Sequence, residues 1–340
     1  MGSLAHRSQP SNAQTWVRHP MVGALRQRVG DRLDGLIHDR DPASRAVNDL
    51  LAAGGKRLRP LLVYLGGQLA GASLSSLDDL AEAAELVHVA SLLHDDLMDG
   101  AETRRGQPAA WRAIGPKAAV LGGDLAHVLA LQRVRLAPDP ALEHFLDGVA
   151  AMVRAQALEI EQEGQLGGGV PAWSAVAYGK TAALCGWCAE AGALVAGRPE
   201  MAERLRCFGL GLGMAFQAVD DLLDLTPGID AGKAPYADLR ARVPSLPIRL
   251  AAAADPALAT AIRELWHDGG EPSSALVADL RRLGAPAASA VAARELDRAR
   301  AALLVLPDAP SRFILSAMLD TLSFRAESCL AGPSSTVESS

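Results

Sequence analysis

LAEAAELVHVASLLHDDLMD, residues 80–99, is apolar on nearly every side before it ends in three carboxylates. Ala83, Leu86, Val87, Val89, Leu92 and Leu93 cover both faces of the helix this stretch predicts, which places it at the centre of a bundle. LRCFGLGLGMAFQAVDDLLD, residues 205–224, repeats the pattern, with Phe208, Leu210, Leu212, Met214, Phe216, Val219 and Leu222 ahead of its own three acids. Two central helices, each closing in Asp-Asp-x-x-Asp, decide the reading of the fold.

The acids stand where a helix least favours them. A helix C-terminus carries partial negative charge, so Asp95, Asp96 and Asp99, just ahead of the terminating Gly100, repel the dipole and one another. Asp220, Asp221 and Asp224, ahead of Pro227-Gly228, are in the same position. Asp95 and Asp99 are four apart, as are Asp220 and Asp224, so each pair shares a face. Such pairs, with no His or Cys among them, suit a hard cation that binds through carboxylates and substrate phosphates, magnesium above all. A single cluster reads equally as a solvated acidic helix end; two matching clusters favour the metal. The ligand they imply is a diphosphate.

Composition supports helices throughout. Hydrophobic residues make up 49% of the 340 and aromatics only 4%, while Ala and Leu, which lose least on entering a helix, abound. Breakers recur between apolar stretches, at Gly54-Gly55, Gly100, Gly106 with Pro108, Pro138 with Pro140, Gly167 to Gly169, Pro227-Gly228, and Pro307 with Pro310. No repeat or linker divides the chain, so one domain is expected over 19–331, with polar, mobile tails at 1–18 and 332–340. The net charge of -6 leaves no basic footprint, which argues against nucleic acid. Met1 to Gln14 is polar and broken by Pro10, unlike a signal peptide, so a cytoplasmic location is expected.

The longest apolar run, Thr181 to Gly197, contains Glu190 and is shorter than the roughly 20 residues of a membrane span. It reads as a buried helix. Cys185 and Cys188 lie inside it, and read as packing cysteines rather than the redox pair that a strand-to-helix context would suggest.

Basic residues gather in short motifs around the acids. Gly54-Gly55-Lys56-Arg57-Leu58-Arg59-Pro60 sets three cations after a glycine turn, where a helix start can also meet phosphate. Arg104-Arg105 follows the first cluster. Lys180, in Tyr178-Gly179-Lys180-Thr181, and Lys233 complete the set. Taken singly, each reads as a solvated surface charge.

Together these motifs resemble the trans-isoprenyl diphosphate synthase, or polyprenyl synthetase, family. The resemblance runs from about Gly54 to Arg325 and is carried by GGKRLRP (54–60), ELVHVASLLHDDLMD (85–99), RRGQP (104–108), GDLA (123–126), YGKTAAL (178–184) and FQAVDDLLD (216–224). It implies an all-α, single-domain bundle of about a dozen helices around a deep central cavity, usually in a homodimer. By resemblance, Asp95, Asp99 and Asp220 bind magnesium, about three ions per site with manganese able to substitute, supported by Asp96, Asp221 and Asp224. Arg104, Lys180 and Lys233 touch the allylic diphosphate. Lys56, Arg59, His88 and Arg105 hold isopentenyl diphosphate, although His88 also reads as a satisfied core histidine. Thr181 and Gln217 line the reacting region.

The chemistry implied is ionisation of an allylic carbon–oxygen bond, followed by attack of isopentenyl diphosphate on the cation in a cavity that excludes water. The motifs offer no protein base, so the departed diphosphate is expected to take the final proton. Product length should follow from the wall below the first cluster. The small Ser91 and Ala90 stand where family members that stop early carry aromatics, which implies about twenty carbons or more unless a facing helix supplies the floor.

Two positions depart from the pattern. GKAPYADLRARVPSLP, 232–247, has Val243 where the family carries Lys, with Arg240 and Arg242 as candidate replacements and Pro244 stiffening the loop. Trp111 stands where a His is common. The rival readings are a farnesyl synthase, a terpene cyclase or diphosphate lyase, which would not need the second diphosphate site, and a non-catalytic partner subunit, which would not need six aspartates.

Overall fold

The computed structural model describes residues 15–104, 107–226 and 235–331. Arg105, Gly106, Pro227, Gly228 and Lys233 lie outside the described residues, as do 1–14 and 332–340. The described chain is helical almost throughout, as expected of an all-α bundle. The only strands among its described residues are Thr103–Arg104 (β1) and Gln107–Pro108 (β2), which pair antiparallel.

In order, the helices are α1 (Pro20–Leu33), α2 (Pro42–Ala52), α3 (Leu58–Leu69), α4 (Leu74–Met98), α5 (Ala110–Ala113), α6 (Pro116–Val134), α7 (Asp139–Gln162) and α8 (Gly169–Ala177). After a π-helical turn at Tyr178–Ala182 come α9 (Ala183–Val195), α10 (Pro199–Asp224), α11 (Ala237–Arg240), α12 (Leu246–Ala254), α13 (Pro256–Asp268), α14 (Ser274–Leu304) and α15 (Pro310–Ala331). The hub is α9, which packs against α3, α4, α7 and α10; α10 packs in turn on α14 and α15, and α4 on α6. Helices α4 and α7 both pack on α9.

Both acidic helices start about two turns earlier than their apolar cores predict. Ser73 caps α4, its hydroxyl accepting from the Ser76 N–H, and Pro199 opens α10 at a position where its missing N–H costs nothing. The first turns are polar on one side, so an apolar count misses them. Inside α4, ahead of the aspartate cluster, three acids are buried with partners that sequence spacing does not reveal. Asp78 accepts from Arg28 and the Tyr64 hydroxyl, Glu82 from Arg32 and Arg133, and Glu85 pairs with Arg57.

The amino-terminal boundary is a correction. The tail expected through residue 18 is structured from residue 15, where Thr15–Arg18 forms a 3-10 turn. Trp16 is buried there, its indole N–H donating to the Thr321 hydroxyl at 3.0 Å, while Arg26 lies over its ring. Among the described residues no helix is long and apolar enough to cross a membrane. Cys185 and Cys188 are free and buried in α9, as packing residues should be.

Candidate active site

Residues of α4 at helical spacing, His88, Ser91, Leu92, Asp95 and Asp99, are less buried than their neighbours and share one face. Gly100, with φ +64, ends the helix and leaves Asp95 and Asp99 at its open end. Burial first, then the nearby Asp99 and Glu159, raise the Asp95 carboxyl to about 6 against the pull of Lys180 and Arg104. Ala90 is fully buried instead, so of the two expected length-setting positions only Ser91 shares the face of Asp95.

Lys180 is aimed into this cluster by the π-helical turn. Gly179 makes that turn possible, since a Cβ there would run into the Ala151 carbonyl and the Ala155 side chain of α7. The Lys180 ammonium donates to both oxygens of Glu159, at 2.8 and 2.6 Å. Burial pulls its pKa down, but Glu159, Asp95 and Asp99 outweigh this and raise it. Sequence reading passed over Glu159, which lies in no acidic motif; the π-turn was equally invisible, although such turns mark functional sites often.

Asp96 points the other way. It is buried, and Arg104 Nε donates to its two oxygens at 2.7 and 2.8 Å, with Nη2 adding a further bond to Oδ1. This pair folds the β1 strand back beside the first cluster. Trp111, the unexpected residue, anchors the same excursion by donating to the Ala101 carbonyl at 2.7 Å.

The second cluster divides likewise. Asp220 is half-buried, while Asp221 is buried and takes hydrogen bonds from Trp173 Nε1 (2.8 Å), the Leu246 N–H (2.9 Å) and Gln217 Nε2 (3.0 Å). Burial raises the Asp221 carboxyl to about 6 despite those donors, with Asp220 adding to the rise. Gln217 in turn accepts from the Thr181 hydroxyl at 3.1 Å, so a chain of hydrogen bonds ties α10 to the turn that carries Lys180. Asp224 accepts from the N–H groups of Ala237 and Asp238 and fixes the start of α11.

In the glycine motif the three cations separate. Arg57, at φ +50, turns inward to Glu85 and to the Leu51 carbonyl at 2.5 Å, while Lys56 stays exposed. Arg26 donates to the Lys56 carbonyl at 3.0 Å and holds the loop. Arg59 lies near Cys185 and Cys188, with its Nε buried and lacking a hydrogen-bond partner among the described residues.

Both candidate replacements for the cation at Val243 are paired with acids outside the two clusters. Arg240 is bound to Glu271 and to the Pro235 carbonyl, and Arg242, at φ +57, donates to Glu163 at 2.6 Å. Arg249, which the sequence did not single out, is buried and donates to the carbonyls of Pro244 (2.7 Å) and Gly167 and to Gln162. It binds the loop behind Asp221 to the α7–α8 connection.

No three acids, histidines or cysteines among the described residues converge closely enough to hold a metal unaided. The donors still fit a hard cation. Asp95, Asp99 and Asp220 offer only oxygen, the donor set that a hard cation completed by water and phosphate oxygens takes.

Residues 41–280 match the family model described as polyprenyl synthetase. The (2E,6E)-farnesyl diphosphate synthase of Mycobacterium bovis is 37% identical over 245 residues, 68% of this chain and 67% of that one. The nonaprenyl diphosphate synthase of Mycobacterium tuberculosis is 33% identical over 302 residues, 86% and 90% of the two chains. Among solved structures, the polyprenyl synthase from Caulobacter crescentus complexed with calcium and isoprenyl diphosphate superposes with a TM-score of 0.79 at 31% identity, covering 92% of this chain and 97% of that one.

Proposed function

The chain belongs to the polyprenyl synthetase family, and from that premise we propose that it joins isopentenyl diphosphate head-to-tail to an allylic diphosphate, releasing diphosphate and a lengthened linear chain. The observation that carries this reading is the convergence of Asp95, Asp99, Glu159, Lys180 and Arg104 on the open end of α4.

Asp95, Asp99 and Asp220 would hold magnesium, with Asp96, Asp221 and Asp224 fixing the backbone and cations around them. Bound there, magnesium supplies positive charge to the diphosphate oxygens. Lys180, kept protonated by Glu159, and Arg104, held beside the cluster by Asp96, stabilise the negative charge that grows on the allylic diphosphate as its carbon–oxygen bond breaks. Lys233 is assigned to the same diphosphate. Lys56, Arg59, His88 and Arg105 orient isopentenyl diphosphate so that its double bond faces the cation, while the apolar walls of α4 and α9 exclude water. No described side chain stands out as a base, and we assign the released proton to the departed diphosphate.

We place the protein in the cytoplasm as a homodimer, joined through the outer face of α6 and α7. Leu121 and Val128 on α6, and Leu146, Val153 and Ile160 on α7, are exposed at seven-residue spacing, which suits an apolar seam between helices. Sedimentation should give twice the mass of the chain, and Val153→Glu should yield a monomer.

Purified protein given labelled isopentenyl diphosphate, magnesium and dimethylallyl, geranyl or farnesyl diphosphate in separate reactions should build labelled chains, and chelation of magnesium should stop it. Failure to incorporate label with every primer would refute the reading.

A further inference from the structure

Three residues of the loop between α2 and α3 have positive φ: Gly54 (+68), Gly55 (+143) and Arg57 (+50). For Arg57 that is a conformation side chains rarely adopt, so the loop that presents Lys56 keeps its shape only while its surroundings hold it.

Part of that hold comes from α1. Arg26 Nε donates to the Lys56 carbonyl at 3.0 Å and Nη1 to the Val17 carbonyl at 3.4 Å, while the guanidinium carbon stands 5.5 Å from the centre of the Trp16 ring. Trp16 is in turn fixed to α15 by its bond to Thr321. One planar fork thereby joins the amino-terminal turn, α1 and the glycine loop, a geometry that an ammonium does not reproduce.

The charge of Arg26 is unanswered. On the same helix Arg28 is bound to Asp78 and Arg32 to Glu82, whereas no acid among the described residues pairs with Arg26, and its buried Nη2 lacks a hydrogen-bond partner there. Burial accordingly lowers its pKa. A partly desolvated cation with no counter-ion costs stability, a cost that proteins carry at functional sites, where a ligand anion relieves it. The loop that Arg26 grips carries the exposed Lys56 and leads into Arg59, whose Nε is also buried without a partner.

We propose that Arg26 is a positioning residue for isopentenyl diphosphate: it fixes the Lys56 backbone in the shape that receives the diphosphate and adds positive charge behind it, without touching the substrate. The proposal rests on the synthase reading and its assignment of Lys56. The allylic diphosphate is met from other elements, by Lys180 and Arg104, so Arg26 governs one substrate and not the other.

The test measures initial rates of wild type, Arg26→Met, Arg26→Lys and Arg28→Met against isopentenyl diphosphate and geranyl diphosphate, each varied with the other saturating, and follows folding by urea unfolding. Calorimetric titration with isopentenyl diphosphate is run beside it with magnesium chelated, so that the acid clusters take up no phosphate. Arg26→Met should raise the KM and the metal-free Kd for isopentenyl diphosphate about tenfold or more, with kcat within about threefold and the KM for geranyl diphosphate within about twofold. Arg26→Lys, which keeps the charge and one donor, should fall between, and it carries the comparison if Arg26→Met does not fold. Arg28→Met, which breaks an ion pair on the same helix, should lower the urea midpoint and leave both KM values within about twofold. An unchanged KM for isopentenyl diphosphate in whichever Arg26 variant folds, equal rises for both substrates, or a rise in Arg28→Met as large as in Arg26→Met overturns the proposal. A wild type that neither binds isopentenyl diphosphate nor incorporates label refutes the synthase reading instead, and the positioning role falls with it.

Discussion

Replacing Asp95 by Asn should stabilise the metal-free protein at neutral pH. In the folded chain this carboxyl titrates near 6, raised from its ordinary 3.8 mainly by burial. Between those values the folded state keeps a proton that the unfolded state has released, so the group's contribution to stability is fully present below about pH 4 and is lost as pH rises through 6. The gap corresponds to at most ~3 kcal/mol, and solvent screening at a half-buried carboxylate leaves roughly 1–2 kcal/mol. Asn carries no such burden. Urea unfolding of both proteins at pH 4 and pH 7.5, with metal chelated, should therefore show near-equal stability at the lower pH and Asp95→Asn ahead by roughly 1–2 kcal/mol at the higher. Magnesium with diphosphate should reverse the order at pH 7.5, since it stabilises only the protein that binds it. A difference independent of pH, or wild type the more stable at pH 7.5 without metal, would refute the reasoning.

The adjacent aspartates of the second cluster should behave oppositely. Asp220→Asn should leave stability within about 0.5 kcal/mol while lowering turnover on the order of a hundredfold or more, whereas Asp221→Asn, which disturbs three hydrogen bonds to a buried carboxylate, should cost about 2–4 kcal/mol in urea. Arg57→Met should cost about 3–5 kcal/mol by stranding Glu85, a loss that Glu85→Gln in the same chain should partly restore. Ser91→Phe, placed on the face of Asp95, should shorten the labelled product when chains are sized after removal of the phosphates. Ala90→Phe should instead overpack the core at a cost of about 1–3 kcal/mol, visible as a lower urea midpoint.

The acidic helices were legible because their evidence is local. Apolar residues on every side and acids at a C-terminus are properties of a few consecutive turns, and they placed α4 and α10 at the centre with only their first turns missed. Division of labour inside each cluster was not legible. Asp95 and Asp96 are neighbours of identical chemistry, yet one stands beside Lys180 and Glu159 and the other is bound by Arg104, because a helix turns 100° per residue and Arg104 returns on a hairpin. Glu159 and Arg249 escaped for a related reason. Each acquires its place from helices far away in sequence, and none carries a local pattern.

The sequence by itself determined an all-helical chain, two acid-tipped central helices, the cationic motifs that answer them and the family to which they belong. Spacing and composition suffice for these because helix periodicity and charge compensation act over a few residues. Only the tertiary structure decided which aspartates are held by hydrogen bonds within the protein and which arginines are consumed there. Those outcomes depend on which helices α9 brings together, and on the low dielectric of the interior, where a buried carboxylate or guanidinium must find a partner wherever the fold supplies one.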